Sequence, residues 1–483
     1  MKIYPYFLLA ALLIFSCKQK AEEKEPSEEA AYECDFSEEI KLGENMKCGY
    51  VEVPENYQRP EGRKIKIAYV VLKARNTDQE NYPLIYFSGG PGGISLAEGS
   101  VKRWSEIPIN DDRDIILFDQ RGINYSTALP DIGPELFEVM AADADVEQEK
   151  KQFAEVLKSY QKKFREEGID IGSYNSFENA RDVGELMSYL GYKKYNLFGV
   201  SYGTRLARIV QDMFPEKIHS VILDSPAPLN TDFLISRLES YSLSLQRVFD
   251  FCKTDPGCSK KYPELKKKYI AAISSLKEKP IEVVIEGKPF FVNAQDAVYF
   301  LRRRLYRGDS RENVPAFIMA LSKREGEAVI EDINYEKNIM TPFINTSMLL
   351  AVENHEQFDK KYTSKVIDSI YKTLPLFPAR LGFFTALYEA GQNWHDNRLP
   401  YEKRVFNRSD VPTLIFVNQY DPVTPPEYGA VFKERLTNSE LYILDQGGHG
   451  ALNNECGMQV MTDFMNTANK DELDTSCLEL YKK

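Results

Sequence analysis

Seven short runs of β-branched, aliphatic and aromatic residues constrain this chain most. They are KIKIAYVVL (64–72), PLIYFSG (83–89), RDIILFDQ (113–120), YNLFGVS (195–201), HSVILDS (219–225), PTLIFVN (412–418) and ELYILD (440–445). Several are continuously apolar, as strands buried on both faces of a sheet must be. Helical patterns separate many of them. After Ser201, TRLARIVQDMF sets Leu206, Ile209, Val210 and Met213 on one face. This alternation predicts an α/β chain with a mostly parallel sheet covered by helices. The pattern breaks between about 228 and 400, where segments such as TDFLISRLESYSLSLQRVFDFC and NTSMLLAVENHEQF are amphipathic. They predict a mostly helical cap, 229–400, inserted before the last strands. It would lie over the strands' C-terminal ends, where open α/β sheets bind ligands. The sheet then divides into a first part, 34–228, and a C-terminal part, 401–483.

The first residues read as a processing signal. Lys2 precedes a short apolar stretch, residues 4 to 16, too short to cross a bilayer of ~30 Å as a helix and of signal-peptide length. It ends in Ile14-Phe15-Ser16-Cys17, which resembles a bacterial lipobox, with Cys17 as the lipidated residue. The competing reading is an ordinary signal peptide with an incidental Cys. Residues 18–33, KQKAEEKEPSEEAAYE, bury too little to fold. As a flexible tether they would reach about 22 Å. The expected location is that of an exported bacterial lipoprotein, held by its N-terminal lipid at the outer membrane, its periplasmic face or the cell surface. The net charge of −12 argues against nucleic acid as a partner.

Seven cysteines minus Cys17 leave six, which fall in three local pairs: Cys34 and Cys48, Cys252 and Cys258, Cys456 and Cys477. An oxidising compartment would make them disulfides, with 15 connectivities open. Zinc is the rival use, but the chain has no C-x-x-C and no His at ligand spacing from the cysteines. No metal or organic cofactor is expected.

Gly199-Val200-Ser201-Tyr202-Gly203 is G-x-S-x-G, between a strand run and a helical run, as a nucleophile elbow requires. Ser201 is therefore the candidate nucleophile, and it needs a base. Of four histidines, His219 starts a strand run, and His355 and His395 fall in the cap. His449 follows the last strand in Gly447-Gly448-His449-Gly450 and is the candidate base. The acid belongs between them in chain order. Asp421, after PTLIFVN, is the first choice. Asp224 is the second, and Asp445 is too near His449 in sequence. An oxyanion needs preplaced N–H donors. The Ser88-Gly89-Gly90-Pro91-Gly92-Gly93 loop offers Gly90, and the elbow offers Tyr202. This loop lacks the Lys-Ser/Thr of a phosphate-binding loop.

With these residues in view, the chain resembles the tripeptidyl aminopeptidase and prolyl aminopeptidase group of α/β-hydrolase fold serine peptidases, from about Cys34 to Cys477. The likeness rests on GGPGG (89–93), DQRG (119–122), GVSYG (199–203), CKTDPGC (252–258), DPVTP (421–425) and GGHG with the trailing ECG and TSCL (447–478). It implies an α/β-hydrolase fold, disulfides within each local Cys pair and a peptide substrate cut from its free N-terminus. Three features depart from the group. Ser88 stands where a His usually opens the oxyanion loop, Asn124 replaces a glycine, and Asn354 and Gly391 stand where relatives are expected to carry a Cys pair. An aminopeptidase must bind a substrate ammonium. Val352-Glu353-Asn354-His355-Glu356 resembles the stretch that supplies such a carboxylate, with Glu353 first and Glu356 second, against the plainer reading of a solvated helix face.

The expected chemistry is acyl transfer. Ser201 attacks, His449 moves the proton, Asp421 steadies the imidazolium, and the Gly90 and Tyr202 N–H groups hold the oxyanion. An esterase with the same triad is the alternative, favoured by a cap pocket without acidic residues. A binding protein on this scaffold would be expected to have lost a triad member.

Overall fold

The computed structural model describes residues 34–76, 81–445, 447–452 and 454–481. Cys17 and the 18–33 segment lie outside the described residues. Among the described residues there are ten strands: β1 (Met46–Pro54), β2 (Lys64–Leu72), β3 (Leu84–Phe87), β4 (Ile115–Phe118), β5 (Tyr195–Val200), β6 (Ile218–Asp224), β7 (Ile281–Ile285), β8 (Lys288–Val292), β9 (Thr413–Asn418) and β10 (Ser439–Leu444). Eight form one sheet in the order β1-β2-β4-β3-β5-β6-β9-β10. β2 runs antiparallel to β1 and β4, and every pairing from β4 to β10 is parallel.

The seven apolar runs are the seven inner and later strands. They are apolar on both faces because each face carries its own core. Ile65, Ile67, Tyr69 and Val71 of β2 pack to one side with Leu206, Ala207 and Val210 from the helix after Ser201. Ala68, Val70 and Leu72 pack to the other with Trp104, Val460 and Phe464. β1 escaped the sequence reading. Its alternating burial, with Val51 and Val53 buried and Glu52 exposed, marks an edge strand with one wet face.

The cap is mostly helical, built on Phe233–Thr254, Ala294–Leu305, Thr346–Glu356 and Gly382–Ala390 among others. It also holds a hairpin, β7–β8, which the expected helical insertion did not include. Its turn places Glu286 and Gly287 at positive φ, the primed geometry that matches strand twist. The cap is also wider than 229–400. Helices Gly133–Ala141 and Val146–Glu166, placed by sequence in the first part of the sheet domain, share its core. Phe137 packs on Phe290, Phe153 on Phe383 and Phe164 on Trp394. Those helices turn their apolar stripes toward the cap rather than the sheet.

Disulfides join Cys34 to Cys48, Cys252 to Cys258 and Cys456 to Cys477. Asn354 and Gly391, the two positions without the expected Cys pair, are neighbours: Asn354 Nδ2 donates to the Gly391 carbonyl at 2.6 Å.

Candidate active site

Ser201 sits between β5 and the helix Tyr202–Met213, at φ 57° and ψ −125°. Few L-residues adopt such a backbone. The two glycines of the motif make the turn sterically open. A Cβ on Gly199 would lie 2.4 Å from the Gly203 carbonyl oxygen, and one on Gly203 would lie 2.1 Å from that of Phe87. The Ser201 N–H donates to the Asp224 carbonyl at 2.9 Å, which ties the elbow to β6. Tyr202 opens the helix, so its N–H is one of the first-turn amides with no partner inside the helix.

Gly90, at φ +116°, lies on the same cavity wall as Ser201 and precedes a cis bond to Pro91. Ser88 braces this loop from within, its hydroxyl donating to the Gly93 carbonyl at 2.6 Å. The DQRG motif holds the loop and its surroundings from behind. Asp119 accepts from the Ser95 and Leu96 N–H groups at 2.9 and 3.1 Å and from Asn124 Nδ2 at 2.8 Å. Arg121 forms a buried bidentate pair with Asp182, both bonds 2.7 Å. Asn124 is at φ 46°, a left-handed conformation that Asn accepts in place of glycine.

Asp421 follows β9 and is fully buried. Its Oδ1 accepts from the Val423 and Thr424 N–H groups at 2.7 and 2.9 Å. Its Oδ2 accepts from the Thr424 hydroxyl at 2.8 Å and lies 2.7 Å from His449 Nδ1. An ionised carboxylate can only accept, so Nδ1 carries the proton and Nε2 is left as the basic nitrogen. Burial pulls the imidazole pKa down. The Asp421 charge and hydrogen bond, with smaller help from Tyr306 and Asp224, overcome it and raise it to about 8.

The competing acids have other work. Asp224 accepts from the Ala451 and Leu452 N–H groups at 2.7 and 3.0 Å and so braces the loop after His449. Asp445 stands 3.6 Å from Arg311. His355 and His395 bond to cap carbonyls of Asn397 and Ala351, and His219 packs on Tyr82.

Ser201, His449 and Gly90 open on a cavity of about 310 Å³ roofed by the cap. A smaller cavity of about 40 Å³ adjoins it and is lined by Ser201, Tyr202, Arg205, Arg237 and Glu353. Glu353 thus reaches the surroundings of Ser201, but its charge is shared. Arg205 Nη1 donates to it at 3.2 Å, and Arg237 stands 3.9 Å away. Glu356 does not line either cavity, so the structure does not bring it to the place expected of an amine-binding carboxylate. It accepts from Arg205 at 2.9 Å and from the Ser176 N–H at 2.8 Å, fully buried between cap and sheet domain. A solvated helix face is equally excluded for both residues, because the helix Thr346–Glu356 is buried nearly throughout.

Sequence reasoning missed much of the cavity's polar wall: Arg237, Tyr299, Arg303, Tyr306 and Glu336. Glu336 Oε1 accepts from the Tyr299 hydroxyl at 2.6 Å and Arg303 Nη2 at 3.0 Å. It begins a π-helical turn, Glu336–Met340, a distortion frequent at functional sites. The available signal was Arg302-Arg303-Arg304, three cations closing the apolar helix AVYFL.

Two families match this sequence. One, described as alpha/beta hydrolase fold, matches residues 82–260 and so contains the elbow. The other, described as TAP-like protein, matches residues 388–477 and contains Asp421 and His449. The chain has the α/β-hydrolase fold. It is similar to the tripeptidyl aminopeptidase of Streptomyces lividans, 24% identical over 92% of this chain and 86% of that one. It is also similar to the serine protease Hip1 of Mycobacterium tuberculosis, 26% identical over 46% of this chain and 44% of that one. Among solved structures, a proline iminopeptidase from Mycobacterium smegmatis aligns over 87% of this chain and 98% of its own, with 13% identity and a TM-score of 0.38.

Proposed function

We propose that this α/β hydrolase is a serine exopeptidase that releases residues from peptide N-termini through an acyl-enzyme on Ser201. One observation carries the reading: the Asp421–His449 pair, 2.7 Å apart, shares a capped cavity with a Ser on a strained elbow. In the proposed cycle Ser201 attacks the scissile carbonyl as His449 Nε2 takes its proton. The Gly90 and Tyr202 N–H groups receive the oxyanion. His449 then protonates the leaving amine, and water releases the acyl group by the same route.

The roofed cavity supports an exopeptidase. A cap over Ser201 favours a peptide that enters by its end over a continuous chain. The similar protein named tripeptidyl aminopeptidase supports the N-terminal end. Glu353, beside Ser201, is the proposed partner of the substrate ammonium. The esterase alternative predicted a cap pocket without acidic residues, and Glu336 and Glu353 line the cavities.

The test is a panel of aminoacyl, prolyl and tripeptidyl chromogenic amides, each with a free and a blocked N-terminus, beside short-chain esters. Free amides should be preferred. Glu353→Gln should lower kcat/KM for them by about ten- to a hundredfold and spare neutral esters. Turnover of esters alone would replace the peptidase reading with the esterase one.

Export and anchoring through Cys17 are part of the same proposal. The lipobox-like sequence and charged 18–33 segment support it. Cys17→Ser should move the exported protein from the membrane fraction to the soluble one.

A further inference from the structure

Arg205, Arg237 and Arg303 line the two cavities at Ser201, Arg302 lies behind their wall against Phe384 and Tyr306, and three carboxylates, Glu336, Glu353 and Glu356, stand among them. Arg205 pairs with Glu353 and Glu356. Arg303 pairs with Glu336, Nε to Oε2 at 2.9 Å. Arg237 has only a distant share of Glu353, at 3.9 Å, and donates once to the Phe233 carbonyl at 2.7 Å. Its Nε is buried without a hydrogen-bond partner, as are Nε and Nη1 of Arg302.

These two cations share an aromatic neighbour, Phe384, and Arg237 also lies over the Phe233 ring at 3.7 Å. The Arg237 guanidinium carbon lies 5.1 Å from the centre of the Phe384 ring, and that of Arg302 lies 5.0 Å from it. Arg302 also lies 5.2 Å from the Tyr306 ring, which packs on His449. Phe384, Tyr306 and Arg237 all line the cavity of Ser201. Unpaired buried charge is costly, and aromatic faces offset only a part of it. A positive field is also felt by neighbouring groups. Burial would raise the Tyr306 phenol, but Arg302 and Arg303, with His449 and Arg237, draw it below its ordinary value. Burial, set against Glu353 and reinforced by Arg302 and Arg205, lowers Arg237 to about 10.

We propose that Arg237, backed by Arg302, receives a carboxylate of the substrate beside Ser201. This rests on the peptidase reading and names its substrate class: short peptides that present an anionic group inside the cavity. Two sources share that chemistry, an acidic side chain on the acyl part and the α-carboxylate of a short leaving peptide. Guanidinium binds either one in the same forked geometry.

The experiment has two arms on the whole protein. Tripeptidyl p-nitroanilides with Glu or Gln at each of the three positions test a side-chain carboxylate, and short peptides with a free or amidated C-terminus test an α-carboxylate. In one arm the anionic member should exceed its neutral twin in kcat/KM by about ten- to a hundredfold. Arg237→Met should bring that ratio toward one, and Arg237→Lys should keep part of it. A second measurement needs no peptide turnover: glutarate, and not glutaramide, should slow fluorophosphonate labelling of Ser201. If no amide is cleaved, the peptidase reading falls and glutarate protection still decides the receptor. Equal kcat/KM within every pair, or equal labelling in glutarate and glutaramide where no amide is cleaved, overturns the proposal.

Discussion

The His449 N–H donates to the Tyr306 carbonyl at 2.9 Å, so the loop that carries the proposed base rests on the cap. The contact needs a glycine beside it. Gly448 is at φ +92°, and a Cβ there would fall 2.4 Å from the Tyr306 carbonyl oxygen. Gly448→Ala should therefore displace the imidazole and lower kcat by about a hundredfold, the size of effect expected for a misplacement of ~1 Å. Gly191 is the control. It is also at positive φ, +79°, but a Cβ there meets open space. Gly191→Ala should cost about 1 kcal/mol of stability and leave kcat alone. Steady-state kinetics and thermal melts on both variants separate displacement from backbone strain.

Ser201→Ala should remove covalent labelling by a fluorophosphonate and lower kcat on the order of 10⁶-fold. The Ser201 side chain caps no hydrogen bond of its helix, so melting should barely change. Labelling that persists in the variant would place the nucleophile elsewhere.

A base must be neutral to accept a proton. His449, raised to about 8, is mostly protonated at neutral pH. The kcat/KM profile should therefore climb tenfold per pH unit below about 8 and level off above it. Asp421→Asn removes the charge that raises this pKa, so the acid limb should move to lower pH while the plateau drops about 10⁴-fold. The raised pKa has a stability counterpart. Its contribution is fully present below about 6.5, the unfolded value, and is lost as pH rises through about 8. A limb that stays in place in Asp421→Asn would mean another group sets it.

The elbow at Ser201, the Asp421–His449 contact and the strands beneath them were legible because each carries a local signature. Gly199 and Gly203 announce a turn that only they can make, and the apolar run of β9 ends on the acid. The cavity wall was not legible. Arg237, Arg303 and Glu336 come from three cap helices far apart in sequence, and no local pattern says that they meet. Glu353 and Glu356 illustrate the limit. Their sequence placed two carboxylates on a cap helix, but only the packing of Arg205 from the helix after Ser201 shows that both are engaged. The helices in 133–166 were misplaced for the same reason: an amphipathic stripe states that a face is buried, not what covers it.

Arg205 therefore has a predicted role distinct from substrate binding. It is buried with Glu353 and Glu356, and Glu356 also receives the Ser176 N–H. The cluster pins the cap helix Thr346–Glu356 to the helix that begins at Tyr202. Removing one member of such a buried set leaves the others uncompensated, at a cost of about 3–5 kcal/mol. Arg205→Met should lower the melting temperature markedly, because it strands two carboxylates. Glu356→Gln keeps the shape and strands no like charge, since Glu353 still faces Arg205. It should cost about 1–3 kcal/mol, chiefly a weakened bond to the Ser176 N–H. Chemical denaturation of the two variants gives the comparison directly. Equal and small losses would mean that the cap is held by its apolar core alone.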